Sequence, residues 1–233
     1  MVRLGFTAPD KSMRHILIDE AQDYPDIALR FLSCYYPAAQ VTLLGDVNQR
    51  TCPGMPPCNP RAWGTDFQEP RTPLVRLTKS YRSTQPITRL CNALLPDEPH
   101  AEEFGREGVF PAIEPFDRAK LITLVEEWKT QGMKHIAVIT RSQAEASKLS
   151  RAIKNSILLT GGDDDMLPEG GGVVVSSFHL IKGLEFDAVA VVWPDVEVTD
   201  GERRRLYTAC SRALHQLILL CDDALRRDLG IVL

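Results

Sequence analysis

The sequence predicts an α/β fold, a parallel β-sheet covered by helices on both faces. Two observations carry that expectation. The apolar, β-branched runs at 173–176 and 188–193 are continuous rather than alternating, the mark of strands buried on both faces. Stretches of helical periodicity lie between such runs, and alternation of strand and helix builds parallel sheets. A third observation divides the chain. Residues 51–73 are dense in proline and glycine, the composition of a linker, and they place a boundary near residue 72. Two domains are expected, 1–72 and 73–233.

The elements follow in order. Ile16–Ile18 reads as a buried strand that delivers Asp19 and Glu20 to a sheet edge. Pro25 opens a helix running to Tyr36, with Ile27, Leu29, Phe31 and Leu32 available for a core. Val41–Leu44 is a strand ending in Gly45–Asp46. Beyond the linker, Leu74–Leu77 reads as a strand and Pro86–Leu95 as a helix, whereas 96–117 reads as irregular. Leu121, Leu124, Val125 and Trp128 recur at helical spacing within Lys120–Trp128. His135–Thr140 is a strand. Ser142 and Glu145 form a capping box for a helix through Ile153. Ile157–Thr160 is a short strand, and 161–172 is an acidic, glycine-rich turn whose carboxylates miss the spacing of an EF-hand calcium loop. Val173–Ser176 and Ala188–Trp193 are strands, Glu202–Ala213 a helix, and Leu217–Leu220 the closing strand.

Composition narrows the function classes. With 44% hydrophobic and 25% charged residues, the 233-residue chain has the make-up of a soluble globular protein able to bury a core. A net charge of −4 argues against a generally basic polyanion binder, so nucleic-acid contact would need a local basic stripe. No apolar run approaches the ~18 residues that argue for a membrane span, and the N-terminus lacks a signal-peptide core. The six cysteines form no CxxC and no zinc spacing. They read as reduced thiols of a cytoplasmic protein, with Cys52 and Cys58, flanking a proline-rich loop, as a weak metal or redox alternative.

The chemistry-bearing strings share one theme. In HILIDEAQD, 15–23, two carboxylates close a strand, as a nucleoside triphosphatase requires. One carboxylate holds Mg²⁺ and the other polarises the attacking water, and a plain solvated strand end is the alternative. In LLGDVNQR, 43–50, a strand end presents Asn48 and Gln49, neutral amides suited to orient a water or sense a γ-phosphate, or else simply a polar turn. In LTKSYRST, 77–84, Arg82 offers a permanent fork for phosphate oxygens, and Tyr81 could stack on an adenine or pack on the protein's own core. In SSFHLIKGLEFDAV, 176–189, Gly183 permits close backbone approach, Glu185 could accept ribose hydroxyls, and Ser177, His179 and Lys182 could meet a nucleic-acid phosphate. A satisfied structural histidine is the alternative for His179. In RRRLYTACSRALHQL, 203–217, Leu206, Tyr207, Cys210, Ala213 and Leu214 form a buried helical stripe. Arg212 sits off that stripe near the helix end, where it could reach a triphosphate, and the triple arginine 203–205 reads as a solvated face. GxxxxGK[ST], the phosphate-cradling loop, occurs nowhere in the sequence.

In this order the strings resemble the UvrD/Rep group of superfamily 1 helicases. HILIDEAQD is similar to motif II, GDVNQ to motif III, SYRST to motif IV, SSFHLIKGLEFDAVAV to motif V and LYTACSRALHQL to motif VI. SYRST, KGLEFDAV and SRALHQL lean towards the HelD (helicase IV-like) branch, which includes factors acting on RNA polymerase. The resemblance implies RecA-like (P-loop NTPase) domains, a partial one over 1–72 and an essentially complete one over 73–233. It implies that Asp19 coordinates Mg²⁺, Glu20 is the general base and Gln49 senses the γ-phosphate. Arg82 and Arg212 would act on the transferred phosphoryl group, Glu185 would bind the ribose, and Gly183 and Tyr81 would lie at the nucleotide. It further implies ATP hydrolysis in an inter-domain cleft, coupled to translocation along nucleic acid, DNA rather than RNA. With the Walker A loop absent, the expectation is the C-terminal portion of a cytoplasmic helicase that is inactive alone and partnered by its missing N-terminal half. Arg50–Thr51–Cys52–Pro53 follows motif III where many relatives carry base-stacking aromatics. A non-catalytic module docking on RNA polymerase is the alternative. Members of the group are often fused to nucleases in DNA repair, but no nuclease-like carboxylate–lysine cluster is visible.

Overall fold

The computed structural model describes residues 8–49, 73–95, 97–98, 100–104, 106–162, 167–194 and 199–229. The proline-rich stretch with Cys52 and Cys58, the Arg50–Pro53 continuation and the centre of the acidic turn therefore lie outside the described residues. The chain forms two compact units, Met1–Leu77 and Thr78–Leu233.

The first unit is built on two parallel strands, β1 (His15–Ile18) and β2 (Gln40–Leu43), in register His15 to Gln40 through Ile18 to Leu43. Helix α1 (Asp26–Tyr35) joins them, with Pro25 as its N-cap residue, one step before the first helical position. Ile18, Ala21 and Leu29 form its small core, with Ile16, Leu32, Val41 and Leu43 packed against it. Ile27 and Phe31, expected in that core, face outward instead, because one stripe of a ten-residue helix suffices to cover two strands.

The second unit holds a six-stranded, wholly parallel sheet in the order β5-β10-β9-β6-β8-β7. Its strands are β5 (Ala112–Pro115), β6 (His135–Thr140), β7 (Ser156–Leu158), β8 (Gly172–Ser177), β9 (Phe186–Trp193) and β10 (Ala213–Cys221). A separate two-stranded parallel pair, β3 (Lys79–Ser80) with β4 (Glu102–Glu103), stands before it. Along each central strand successive residues serve opposite faces. Ala137 and Ile139, Val189 and Val191, and Leu217 and Leu219 meet helices α2 (Gln85–Leu94), α5 (Asp200–Cys210) and α6 (Asp223–Leu229). Ile136 and Val138, Ala188 and Ala190, and Ile218 and Leu220 meet α3 (Arg118–Thr130) and α4 (Gln143–Ser150). Both faces are thus covered, as the continuous apolar runs predict. The Ser142–Glu145 capping box forms, and Leu121, Val125 and Trp128 are buried at the expected spacing.

Several elements differ from expectation. Leu74–Leu77 is not a strand; Leu74, Val75 and Leu77 are exposed, and pairing begins only at Lys79. The stretch read as irregular contains β4 and β5, and helix α6 follows the last strand. Helix α5 stops at Cys210 and β10 starts at Ala213, so Ser211 and Arg212 make the corner. No helix among the described residues is long and apolar enough to cross a membrane.

Candidate functional site

Parallel strands bring their C-terminal ends to one edge, where open α/β sheets place ligand-binding loops. In the first unit that edge gathers the loops after β1 and β2. The backbone keeps them together beyond the strands, with Leu44 N donating to Ile18 O at 2.8 Å and Ala21 N to Leu44 O at 2.8 Å. Asp19 is exposed, and its Oδ1 accepts the Glu20 N–H at 2.8 Å. Glu20 adopts a left-handed backbone, φ 50° and ψ 39°, which costs a non-glycine residue on the order of 1 kcal/mol. Such a conformation persists only where its surroundings fix it.

What fixes it is Gln22, which is fully buried. Its Nε2 donates to Glu20 Oε2 at 2.5 Å, and its Oε1 accepts the Asp46 N–H at 3.2 Å. Asp46 in turn accepts the Asn48 N–H on Oδ1 and the Gln49 Nε2 on Oδ2, both at 2.9 Å. Gln49, 6% exposed, is therefore held by a carboxylate rather than left in a free turn. A Cβ at position 45 would stand 2.3 Å from Gln22 Oε1, so Gly45 is what lets the amide pass. Gln22 and Asp46 carry no role in the sequence reading. Their only advance signal is position, inside DEAQD and GDVNQ.

In the second unit, residues far apart in sequence meet at the N-terminal ends of β9 and β10. Arg82 Nε lies 2.5 Å from Glu185 Oε1, both side chains well exposed. The neighbouring Ser83 Oγ donates to Ala213 O at 2.6 Å, Thr84 N to Leu214 O at 3.2 Å, and Phe186 N to Arg212 O at 3.0 Å. The loop bearing Arg82, the start of β9 bearing Glu185 and the corner bearing Arg212 are thereby stitched together. Arg106 Nη2 also donates to Arg82 O at 2.5 Å, a strap without a signal in the sequence. Arg82 and Glu185, expected on phosphate and ribose respectively, pair with each other.

Arg212 was expected to reach outward from a helix face. It is instead 1% exposed at the corner after α5, its Nε donating to Thr208 O and its Nη2 to Ser211 Oγ, each at 3.2 Å. Tyr81 does not pack into the core. It is 64% exposed and meets Phe104 edge-on at 4.8 Å, with Lys79 Nζ over the Phe104 ring at 5.2 Å. Gly183 has φ +75° and open space where a Cβ would stand, so it serves backbone conformation rather than close approach.

Ser177 and His179 occupy the opposite rim of the sheet. Ser177 pairs with Thr140, which pairs with Val192, roughly seven residues or about 23 Å up β9 from Glu185. Ser177 is buried, and its Oγ donates to Gln143 Oε1 at 2.9 Å. His179 is exposed, with Nε2 3.4 Å from Ser177 Oγ and its ring edge-on to Phe178. Lys182 lies on the segment 178–185, which runs between the two rims over the face covered by α2 and α5. Among the described residues no group of three or more His, Cys, Asp or Glu is arranged to hold a metal ion unaided. Asp19 and Glu20 fit the sparser demand of Mg²⁺, which takes one or two carboxylates beside substrate phosphates.

Comparison with known proteins places these residues. Residues 172–220, which include Ser177, His179, Lys182, Glu185 and Arg212, match the UvrD-like helicase C-terminal domain. The chain is similar to the C-terminal domain of a possible DNA helicase from Lactobacillus plantarum WCFS1, at 31% identity over 61% of this chain and 87% of that one, with a TM-score of 0.49. It also matches the arterivirus nonstructural protein 10 helicase in complex with DNA (17% identity, 96% of this chain, 43% of that chain, TM-score 0.53). A second structure of that helicase matches at 17% identity over 91% of this chain and 40% of that one, with a TM-score of 0.51. The chain spans less than half the length of these viral helicases, and at such identity the likeness is one of fold. No curated protein matches the sequence.

Proposed function

From a chain that contains a UvrD-like helicase C-terminal domain, we propose that it is the C-terminal portion of an ATP-dependent superfamily 1 helicase or translocase acting in the cytoplasm on single-stranded nucleic acid, DNA by preference. The observation that carries the reading is the gathering of Arg82, Glu185 and Arg212, distant in sequence, at one rim of the second sheet. In this reading the first unit contributes Asp19 to hold Mg²⁺, Glu20 to draw a proton from the attacking water, and Gln49 to sense the γ-phosphate. Bound Mg²⁺ supplies charge neutralisation at the phosphates. The second unit contributes guanidinium groups to the charge that develops on the transferred phosphoryl group, and such an arginine accelerates transfer by ~10³–10⁵. Glu185 takes the ribose once Arg82 turns from it to phosphate. Tyr81 and Gly183 line the nucleotide, and His179 and Lys182 meet the nucleic-acid backbone at or near the far rim. The strings SYRST, KGLEFDAV and SRALHQL lean towards the HelD-like branch and support a parent protein of that kind. Capture of RNA polymerase by this chain without ATP would favour a docking role there.

The test is anisotropy of a labelled single-stranded oligonucleotide against salt. His179→Ala and Lys182→Ala are expected to weaken binding, and Lys182→Ala to flatten the log–log salt slope by about 0.7, the share of one phosphate contact. Binding that neither substitution alters would remove these residues from the nucleic-acid site.

A further inference from the structure

Helix α5 opens with the spacing T-x-x-E of a capping box, and Thr199 Oγ1 accepts the Glu202 N–H at 3.3 Å. The Glu202 carboxylate does not turn back to close the box. It is buried, with Oε2 accepting the Trp193 Nε1–H at 3.0 Å and Oε1 accepting from Arg205 Nη1. The triple arginine is therefore no plain solvated face, since Arg204 pairs with Glu98 and Arg205 with Glu202. The Arg205 guanidinium also stands over the Phe178 ring, 5.7 Å from its centroid, where the ring face attracts a cation. Phe178 in turn meets Trp193 edge-on at 5.8 Å. Four side chains from three elements thus close a circuit. Trp193 ends β9, Glu202 and Arg205 lie one turn apart on α5, and Phe178 follows β8.

Each member holds the next. The buried indole N–H needs an acceptor, the buried carboxylate needs a countercharge, and the countercharge rests on the ring. Phe178 is also fixed through its backbone, its N–H donating to Thr140 O at 2.9 Å, and the preceding Ser177 is tied to Gln143. His179 stands exposed directly beyond, 5.4 Å from the Phe178 ring and edge-on to it.

We propose that Arg205, anchored by Glu202, is a positioning residue that holds Phe178 and through it sets the direction in which His179 is presented. Its part in nucleic-acid binding rests on the reading of His179 as a phosphate contact. Arg205 does not meet the strand itself, because its charge is already engaged by carboxylate and ring.

The experiment is a double-mutant cycle on the full 233-residue chain, read by anisotropy of a labelled single-stranded DNA oligonucleotide. Arg205→Met, which keeps the stem and removes the charge, should weaken binding by no more than the factor lost in His179→Ala. In the His179→Ala background it should weaken binding no further. Arg205→Lys, which keeps a cation between carboxylate and ring, should restore most of the affinity. Equal weakening by Arg205→Met in both backgrounds overturns the proposal, as does an Arg205→Met chain that binds like wild type while His179→Ala does not. A separate arm follows the His179 ring C–H signals by nuclear magnetic resonance without nucleic acid. They should shift in Arg205→Met and return towards their wild-type positions in Arg205→Lys. Glu202→Gln, which keeps an acceptor for the Trp193 N–H and frees the cation, is the second variant and should shift the same signals. Unmoved His179 signals in a folded Arg205→Met or Glu202→Gln chain overturn the link. Binding that His179→Ala leaves intact overturns the reading of His179, while the resonance arm still decides the link.

Discussion

Replacing Arg212 by alanine distinguishes a guanidinium that the fold needs from one that only chemistry needs. Arg212 is 1% exposed and donates to Thr208 O and Ser211 Oγ at the end of α5. Hydrogen bonds from a charged donor contribute about 1.5–3 kcal/mol each. Relief of guanidinium desolvation, several kcal/mol, offsets part of that loss, while the vacated space and the carbonyl left without its donor add to it. The net expectation is destabilisation of about 2–4 kcal/mol, in the upper range for a point substitution. For a unit the size of Thr78–Leu233, at about 2–4 °C per kcal/mol, the melting point should fall by about 4–16 °C. Arg82→Ala breaks an ion pair whose side chains are 44% and 42% exposed and should cost about 0–1 kcal/mol. Urea unfolding followed by the fluorescence of Trp128 and Trp193, both buried in this unit, reads the two variants side by side. An Arg212→Ala protein within about 0.5 kcal/mol of wild type, the range of ordinary surface substitutions, would refute the assignment of Arg212 to the packing of this corner.

Other outcomes follow from the same structure. The 233-residue chain, which contains no phosphate-cradling loop, should show no Mg²⁺-dependent ATP hydrolysis; turnover that Glu20→Gln abolishes would contradict this. Among the described cysteines, Cys34 is exposed and Cys91, Cys210 and Cys221 are buried, so iodoacetamide should modify Cys34 in the native protein and the other three only in urea. Burial pushes the Cys210 thiol upward and the Cys221 thiol, aided by Asp222, to about 11. Because the Cys221 thiol holds its proton longer folded than unfolded, its contribution is complete below pH 9 and lost as pH rises towards 11. The urea midpoint should fall across that window, and Cys221→Ala should lessen the fall.

The central sheet was legible because β8 and β9 carry the apolar runs Val173–Val175 and Ala188–Trp193, which no amphipathic helix would carry on every side. The capping box of α4 was legible because two residues at fixed spacing specify it. Strand β5 was not, since Ala112–Pro115 has no period of its own and becomes a strand by pairing at the edge with β10, where its proline costs no ladder bond. Leu74–Leu77 misled for the converse reason, as four residues of suitable type find no partner strand among the described residues. At the α5–β10 corner, apolar residues stand on both sides of Ser211 and Arg212 and hide where one period ends and the other begins, which is why Arg212 looked like a residue on a helix face. Asp19, Glu20, Gln49, Arg82, Glu185 and Arg212 could be named from their strings. Gln22 could not be given a task, because its meaning lies in a neighbour, Asp46, that only the pairing of β1 with β2 brings near.

Glu185 and Arg212 sit at one extremity of β9 and Ser177 and His179 at the other, with close-packed side chains filling both sides of the sheet between them. Close packing resists compression, so the two ends are held at a fixed separation of about 23 Å.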